Sequence, residues 1–211
     1  FDYTQRIYLQ TYNDPQSAPL RDTDLSPAIS FIYKKPIPIA NGDGGYFNWF
    51  SIGYRHVSNG ERENIYDSDP RQEAWGGKFV RSKAFDRVVF ETNYKYKDFN
   101  ARLRAWMNIS AIAYDGAKTN GDIGKYMGYG DIKLSYTYKN NHFELYLNNI
   151  FNNYFSRDYW DWKGHVELGY SYGVSKHYAI YVQYLYGHGD SLYEYSLPVN
   201  RIGVGVRLRD F

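Results

Sequence analysis

Along most of this chain apolar and polar residues alternate one by one, in about ten segments of roughly ten residues each, and no other feature constrains the fold as tightly. A period of two is the period of a β-strand, whose successive side chains point to opposite faces. From Phe99 to Ala113 one face carries Ala101, Leu103, Ala105, Met107, Ile109 and Ala111. The other carries Asn100, Arg102, Arg104, Trp106, Asn108 and Ser110. From Trp160 to Tyr172 the apolar set is Trp160, Trp162, Val166, Leu168 and Tyr170, opposite Asp161, Lys163, His165 and Glu167. Segments begin near Tyr3, Ala28, Tyr46, Ser82, Phe99, Gly130, His142, Tyr159, Lys176 and Asn200. Short turns (Lys139 to His142, Val174 to Lys176) alternate with long connections (Asn59 to Arg81, Tyr114 to Met127). Short turns at one end and long loops at the other describe an all-β, antiparallel, up-and-down transmembrane β-barrel.

Composition supports a lipid-facing exterior. The chain has 20% aromatic residues, 25 of them Tyr, with a mean hydropathy of −0.66. A soluble core gathers Leu, Ile and Val, whereas here apolar residues are spread thinly among charged ones. Girdles of Trp and Tyr at two membrane interfaces would use the excess of Tyr. A soluble sandwich or lipocalin-like barrel shares the alternation, but would have to place these aromatics beside Arg-rich faces. No run approaches the roughly 18 apolar residues of a membrane helix. The length suits a single domain over residues 1–211, and a start at Phe1 without a leader pattern suggests a mature or truncated product. A net charge of +2 gives no support to a nucleic-acid partner.

The stretch SIGYRHVSNGEREN breaks the apolar rule. The parity that sends Phe50, Ile52 and Tyr54 outward also sends His56 and Ser58 outward. On the next strand Val88 and Phe90 face lipid, so Ser82, Ala84 and Asp86 share their face while Arg87 and Glu91 point inward. An ionisable group facing hydrocarbon costs about 2–4 kcal/mol at the midplane and about 0–1 at the interface. Taken singly, each is best read as a headgroup-level residue. Taken together, Ser58, His56 and Asp86 match a nucleophile, a base and a group that orients the base. On the outside of a barrel, such a set would meet the ester bonds of phospholipids.

HVSNG at His56 to Gly60 resembles the H-x-S-N-G signature of outer-membrane phospholipase A, a calcium-dependent barrel lipase of Gram-negative envelopes. Further stretches agree in order: YTQ at Tyr3, S-x-P-x-R at Ser17 to Arg21, S-x-x-x-D-R at Ser82 to Arg87, KYMGY at Lys125 to Tyr129, HGDSL, then RIGVGV. The closing GVGVRLRDF, ending at Phe211, resembles the terminal recognition signal of such barrels. The family has twelve strands, which implies that an amino-terminal hairpin is missing from this numbering. The resemblance implies Ser58 as nucleophile and His56 as base, with Asp86 where the family pattern usually has Asn. It implies Ca²⁺ held by the Ser82 hydroxyl, the Glu61 carbonyl and, from a second subunit, the Ser17 carbonyl. Oxygen donors of this kind suit calcium. Asp67 and Asp69 could add ligands, though a solvated acidic loop is the better reading of each.

Gln5 shares its parity with Tyr3, Ile7 and Leu9, and so points an amide at lipid. Burying an unsatisfied amide costs on the order of 1–3 kcal/mol. The resemblance implies that the same residue of a second barrel pairs with it in an active homodimer. The alternatives are a pore lined by the polar lumen and an inert or adhesive barrel displaying long loops.

Overall fold

The computed structural model describes residues 1–9, 20–39, 44–60, 83–109, 122–151 and 162–208. These form β1 (Asp2–Leu9), β2 (Leu20–Tyr33), β3 (Ile37–Pro38), β4 (Tyr46–Ser58), β5 (Ala84–Tyr96), β6 (Phe99–Asn108), α1 (Ile123–Met127), β7 (Gly130–Tyr138), β8 (Asn141–Asn148), β9 (His165–Gly173), β10 (Tyr178–Gly187) and β11 (Val199–Leu208). All strands belong to one antiparallel sheet in sequence order, except that the two-residue β3 pairs beside β2 on β4. The ten long strands correspond to the ten alternating segments. Connections 10–19, 59–83, 109–129, 149–164 and 188–198 leave one end of the sheet, and 34–45, 97–98, 139–140 and 174–177 leave the other.

Side chains sort by parity as expected for a lipid-facing exterior. Ile52, Phe90, Met107, Leu168, Ile180, Val182, Ile202, Val204 and Val206 all stand exposed on one face. The opposite face carries charges that satisfy one another. Asp131 is 1% exposed and accepts from Arg104 and from the Tyr146 hydroxyl, the latter at 3.0 Å. Lys133 and, from β11, Arg207 pair with Glu144, so β11 reaches β8 across the interior. Near the short turns, Tyr33, Tyr138, Tyr172 and Tyr178 are exposed as an interfacial girdle would be.

Two strand starts differ from the sequence expectation. β2 begins at Leu20 rather than near Ala28, because its polar first turn is held by tertiary bonds: Asp22 accepts from the Tyr193 amide at 2.8 Å and Asp24 from the Leu192 amide at 3.0 Å. β9 begins at His165 rather than near Tyr159, with 152–161 outside the described residues. The same bonds pull segment 188–197 onto β2, and the Tyr8 hydroxyl donates to the Asp190 carbonyl at 2.6 Å. The first strands thus meet the last loop, and the sheet is curled.

At the long-loop end the interior is capped. Inward-facing Val57 of β4 and Phe85 of β5 pack with Ile123, Leu192 and Tyr195, with Tyr126 and Met127 against them. KYMGY therefore lies on α1 and its exit rather than in an extended loop, and the chain leaves through Gly128 at φ 68°. The Tyr195 hydroxyl donates to Asp122. Burial first, and this bond second, push its ionisation well above that of an ordinary phenol. Among the described residues no helix is long and apolar enough to cross a membrane.

Candidate active site

Register on β4 and β5 sets His56 opposite Asp86, Ser58 opposite Ala84 and Tyr54 opposite Val88. On the other side of β4, Ser58 faces Leu25 of β2, and Leu25 in turn faces Gln5 of β1. Gln5, Leu25, Ser58 and Ala84 thus form one transverse row on the outer face. The β2–β4 ladder skips Ser26 and Pro27 between its pairs at Leu25 and Ala28. Proline has no amide hydrogen to donate, so Pro27 cannot contribute an N–H to the ladder there. Gly53 is required there for another reason, since a Cβ on it would stand 2.3 Å from the Ile29 carbonyl oxygen.

His56 Nδ1 lies 2.8 Å from Asp86 Oδ1. An ionised carboxylate only accepts, so Nδ1 carries the hydrogen and Nε2 is left as the basic nitrogen. The Asp86 side chain is 7% exposed and that of His56 35%, so the carboxylate is covered while the imidazole remains reachable from outside. Ser58 follows on the same face, one strand repeat along, and forms no hydrogen bond to His56 among the described residues. Catalytic hydrogen bonds are often long before substrate binds.

The structure adds a residue that sequence reasoning assigned to lipid. The Tyr54 hydroxyl donates to the same Asp86 oxygen that His56 meets. Parity placed Tyr54 on this face, but its reach to Asp86 is a diagonal contact between strands and depends on their register. Gln5 is outward as expected, and its amide is not bare: the Tyr3 hydroxyl donates to its Oε1 at 3.3 Å.

Behind the site, the strand ends are clamped. The Asn59 amide donates to the Lys83 carbonyl at 3.0 Å, and the Lys83 amide returns a bond to Asn59 Oδ1 at 3.0 Å. Asn59 of HVSNG is therefore a structural clamp, and the chain turns away after it through Gly60 at φ 69°. Lys83 lies with its ammonium 5.5 Å from the Tyr195 ring centroid. Burial pulls its pKa down to about 8, with nearby Asp122 opposing that fall.

Ser17, Glu61 and Ser82, together with Asp67 and Asp69, lie outside the described residues. The clamp nevertheless makes the stretches carrying Glu61 and Ser82 start from neighbouring points of the sheet, beside Ser58. Among the described residues no group of three or more His, Asp or Glu is placed to hold a metal.

Residues 1–208 match the family model described as phospholipase A1. Phospholipase A1 of Salmonella typhimurium is 29% identical over 211 residues, covering 99% of this chain and 61% of the relative. A putative phospholipase A1 of Neisseria meningitidis is 30% identical over 214 residues, covering 100% of this chain and 48% of the relative. The chain thus spans about three-fifths or less of the length of these proteins. Outer membrane phospholipase A from Escherichia coli superposes with a TM-score of 0.76 at 28% identity, covering 99% of this chain and 68% of the other. The outer membrane phospholipase dimer of Salmonella typhi with bound calcium gives 0.76 at 28%, covering 99% and 69%.

Proposed function

The chain belongs to the phospholipase A1 family, and from that premise we propose that it hydrolyses acyl esters of glycerophospholipids at the surface of a Gram-negative outer membrane. The observation that carries the reading is the His56–Asp86 bond of 2.8 Å on the lipid-facing side of the sheet, with Ser58 beside it on that face. Ser58 Oγ attacks the acyl carbonyl carbon as its proton passes to His56 Nε2. Asp86 holds Nδ1–H and offsets the charge of the imidazolium. The bond to the glycerol oxygen then breaks, and His56 returns the proton to the departing alcohol. Water, deprotonated by His56, releases the fatty acid and restores Ser58. The Ser58 amide contributes to stabilising the oxyanion.

Ser17, Glu61 and Ser82 are the residues proposed to hold Ca²⁺, which when bound supplies positive charge near the developing oxyanion. Support comes from the oxygen character of this donor set and from the Asn59–Lys83 clamp that starts two of its stretches side by side. We further propose a homodimer as the active state, with Gln5 at the contact. Its place in the row of Ser58 would set a second barrel against the site. A pore has the polar interior in its favour, but there Arg104, Asp131, Tyr146, Lys133, Glu144 and Arg207 engage one another.

The test is fatty-acid release from detergent-dispersed phospholipid, with calcium and then with excess chelator. Release that requires calcium and disappears in Ser58→Ala is expected. Ion conductance without any hydrolysis would replace the enzyme with a channel.

A further inference from the structure

We propose that Tyr54 is a positioning residue of this site: its hydroxyl holds the Asp86 oxygen that faces His56, and so sets which atom of residue 86 the imidazole meets. The inference rests on the hydrolytic reading above. Two donors converge on one atom, Tyr54 Oη–H and His56 Nδ1–H both reaching Asp86 Oδ1. Tyr54 and His56 are two residues apart on the outward face of β4, and Asp86 lies opposite His56 on β5. The hydroxyl therefore approaches along the strand while the imidazole approaches across it.

An interfacial tyrosine ordinarily turns its hydroxyl toward water. This one turns sideways to a carboxylate that is 6% exposed, on a face where Ile52 and Phe90 are 54% and 42% exposed. A carboxylate in that position has few waters to steady it. A bond from a hydroxyl to an ionised group is among the stronger hydrogen bonds. It withdraws charge from the carboxylate and restrains its rotation. Both effects act on catalysis only through His56, which makes Tyr54 a positioning group and not a catalytic one.

The same geometry bears on the residue type at position 86. An asparagine there serves His56 only if its oxygen, and not its NH₂, faces the ring. A Tyr54 hydroxyl donating to that same oxygen favours the correct flip. Without it the amide is free to present its NH₂ and impose the wrong tautomer, which in a serine protease costs about 10⁴ in rate.

The test uses the full-length protein and four forms: wild type, Tyr54→Phe, Asp86→Asn and the double variant, each checked for heat-modifiable mobility. Initial rates on detergent-dispersed phospholipid give kcat and KM, and peptide-resolved acylation by diethylpyrocarbonate against pH gives the His56 titration. Tyr54→Phe should lower kcat about 3- to 10-fold with KM within about twofold, the scale of one lost bond to a charged group only partly felt in the reaction. With Asp86 Oδ1 relieved of that donor, the pH profile of the rate and the pH dependence of His56 acylation should both change from those of the wild type, a readout that a merely structural role would leave in place. Asp86→Asn should cost at least about tenfold more on the Tyr54→Phe background than on the native one, given the size of the tautomer penalty. Tyr54→Trp, which retains a donor, should recover part of kcat. Tyr54→Met is the second donor-less variant if Tyr54→Phe does not fold.

Effects that simply multiply, with an unmoved His56 titration, would overturn the inference. A wild type that releases no fatty acid, or a Ser58→Ala that releases it normally, would instead remove the hydrolytic reading. The His56 titration in the same samples would still decide whether Tyr54 acts on the Asp86–His56 pair.

Discussion

Along β4 the side chains alternate between two environments. Tyr54, His56 and Ser58 look outward with Asp86, whereas Arg55 and Val57 look inward with Phe85 and Arg87. The outward set is polar where the rest of that face is apolar. The inward set is packed against its neighbours. Arg55 pairs with Asp2 at 2.7 Å and donates to the Ser26 hydroxyl at 3.1 Å. The Arg87 guanidinium lies 5.0 Å from the Phe85 ring and 4.6 Å from that of Trp106. Val57 and Phe85 are locked into the cap with Leu192 and Tyr195. A site on the outside of a sheet lacks a cleft to fix its geometry, and here each residue of the set has an immobilised neighbour in sequence. Rigidity comes through the backbone, from the far side of the sheet.

The comparison breaks most cleanly with Ser58→Ala or His56→Ala. Each should reduce ester hydrolysis at least about 10³-fold, more than about 4 kcal/mol in the barrier. Heat-modifiable mobility should remain that of the folded wild type, because neither side chain contributes to the cap. Wild-type rates in either folded variant would remove the assignment. Phe85→Ala is the inward counterpart. Truncating a buried phenylalanine costs about 3–5 kcal/mol, so the unfolding midpoint in denaturant should fall, and activity should fall with it although Phe85 touches no substrate. Loss of stability with full activity below the transition would show that the outward set does not depend on its backing.

Asp86 sharpens the contrast, since it is an outward residue that is nevertheless buried. Asp86→Asn should keep more than a tenth of the rate, a loss below about 1.4 kcal/mol, because the Tyr54 hydroxyl is there to turn the amide oxygen to the ring. Asp86→Ala should lose more. If both are equally inactive while folded, the charge itself is required. If both are fully active, Asp86 has no part in the reaction.

Lys83 tests the cap through pH. Its folded pKa of about 8 lies below the ordinary value of 10.5, so the folded state binds this proton less tightly than the unfolded chain does. Stability should therefore rise as pH rises from about 8 toward 10.5 and be flat for this group below 8. Denaturant midpoints measured across that window should climb in the wild type, and Lys83→Met should remove that part of the climb.

Strand number and facing were legible because parity needs only a local pattern and one buried or lipid-facing side. His56, Ser58 and Asp86 were legible as exceptions to that pattern. Register was not, so the sequence could not tell which outward tyrosine would reach Asp86, and parity alone makes Tyr54 one more lipid-facing aromatic. Nor could it show that Asp22 and Asp24, which look like loop residues, stay in β2 because they bind amides some 170 positions away. Asn59 likewise shows its clamp only once β4 and β5 are paired. Ser17, Glu61 and Ser82 stand on the resemblance and on the chemistry of oxygen donors.

The smallest expected effect belongs to Gln5, at the contact proposed with a second barrel. Gln5, Leu25 and Ser58 lie in one row across three strands, so with strands about 4.8 Å apart Gln5 and Ser58 are separated by roughly 10 Å. A partner seated on Gln5 would come within reach of substrate at Ser58. Side-chain hydrogen bonds within membranes average about 0.6 kcal/mol and reach about 1.7. Tyr3 already donates to Gln5 Oε1, which lowers the cost of leaving the amide unpaired and puts Gln5→Ala near the smaller figure. Tyr3→Phe removes that internal partner and should make the Gln5 contribution larger. Sedimentation in detergent with calcium and a substrate analogue measures both, since ligands that favour the dimer must shift the profile toward it. Gln5→Ala should weaken association by about 0.6 kcal/mol in the native background and by more in Tyr3→Phe. Equal dimerisation in all four proteins would move the contact away from β1, and full activity from a demonstrably monomeric sample would remove the dimer from the mechanism.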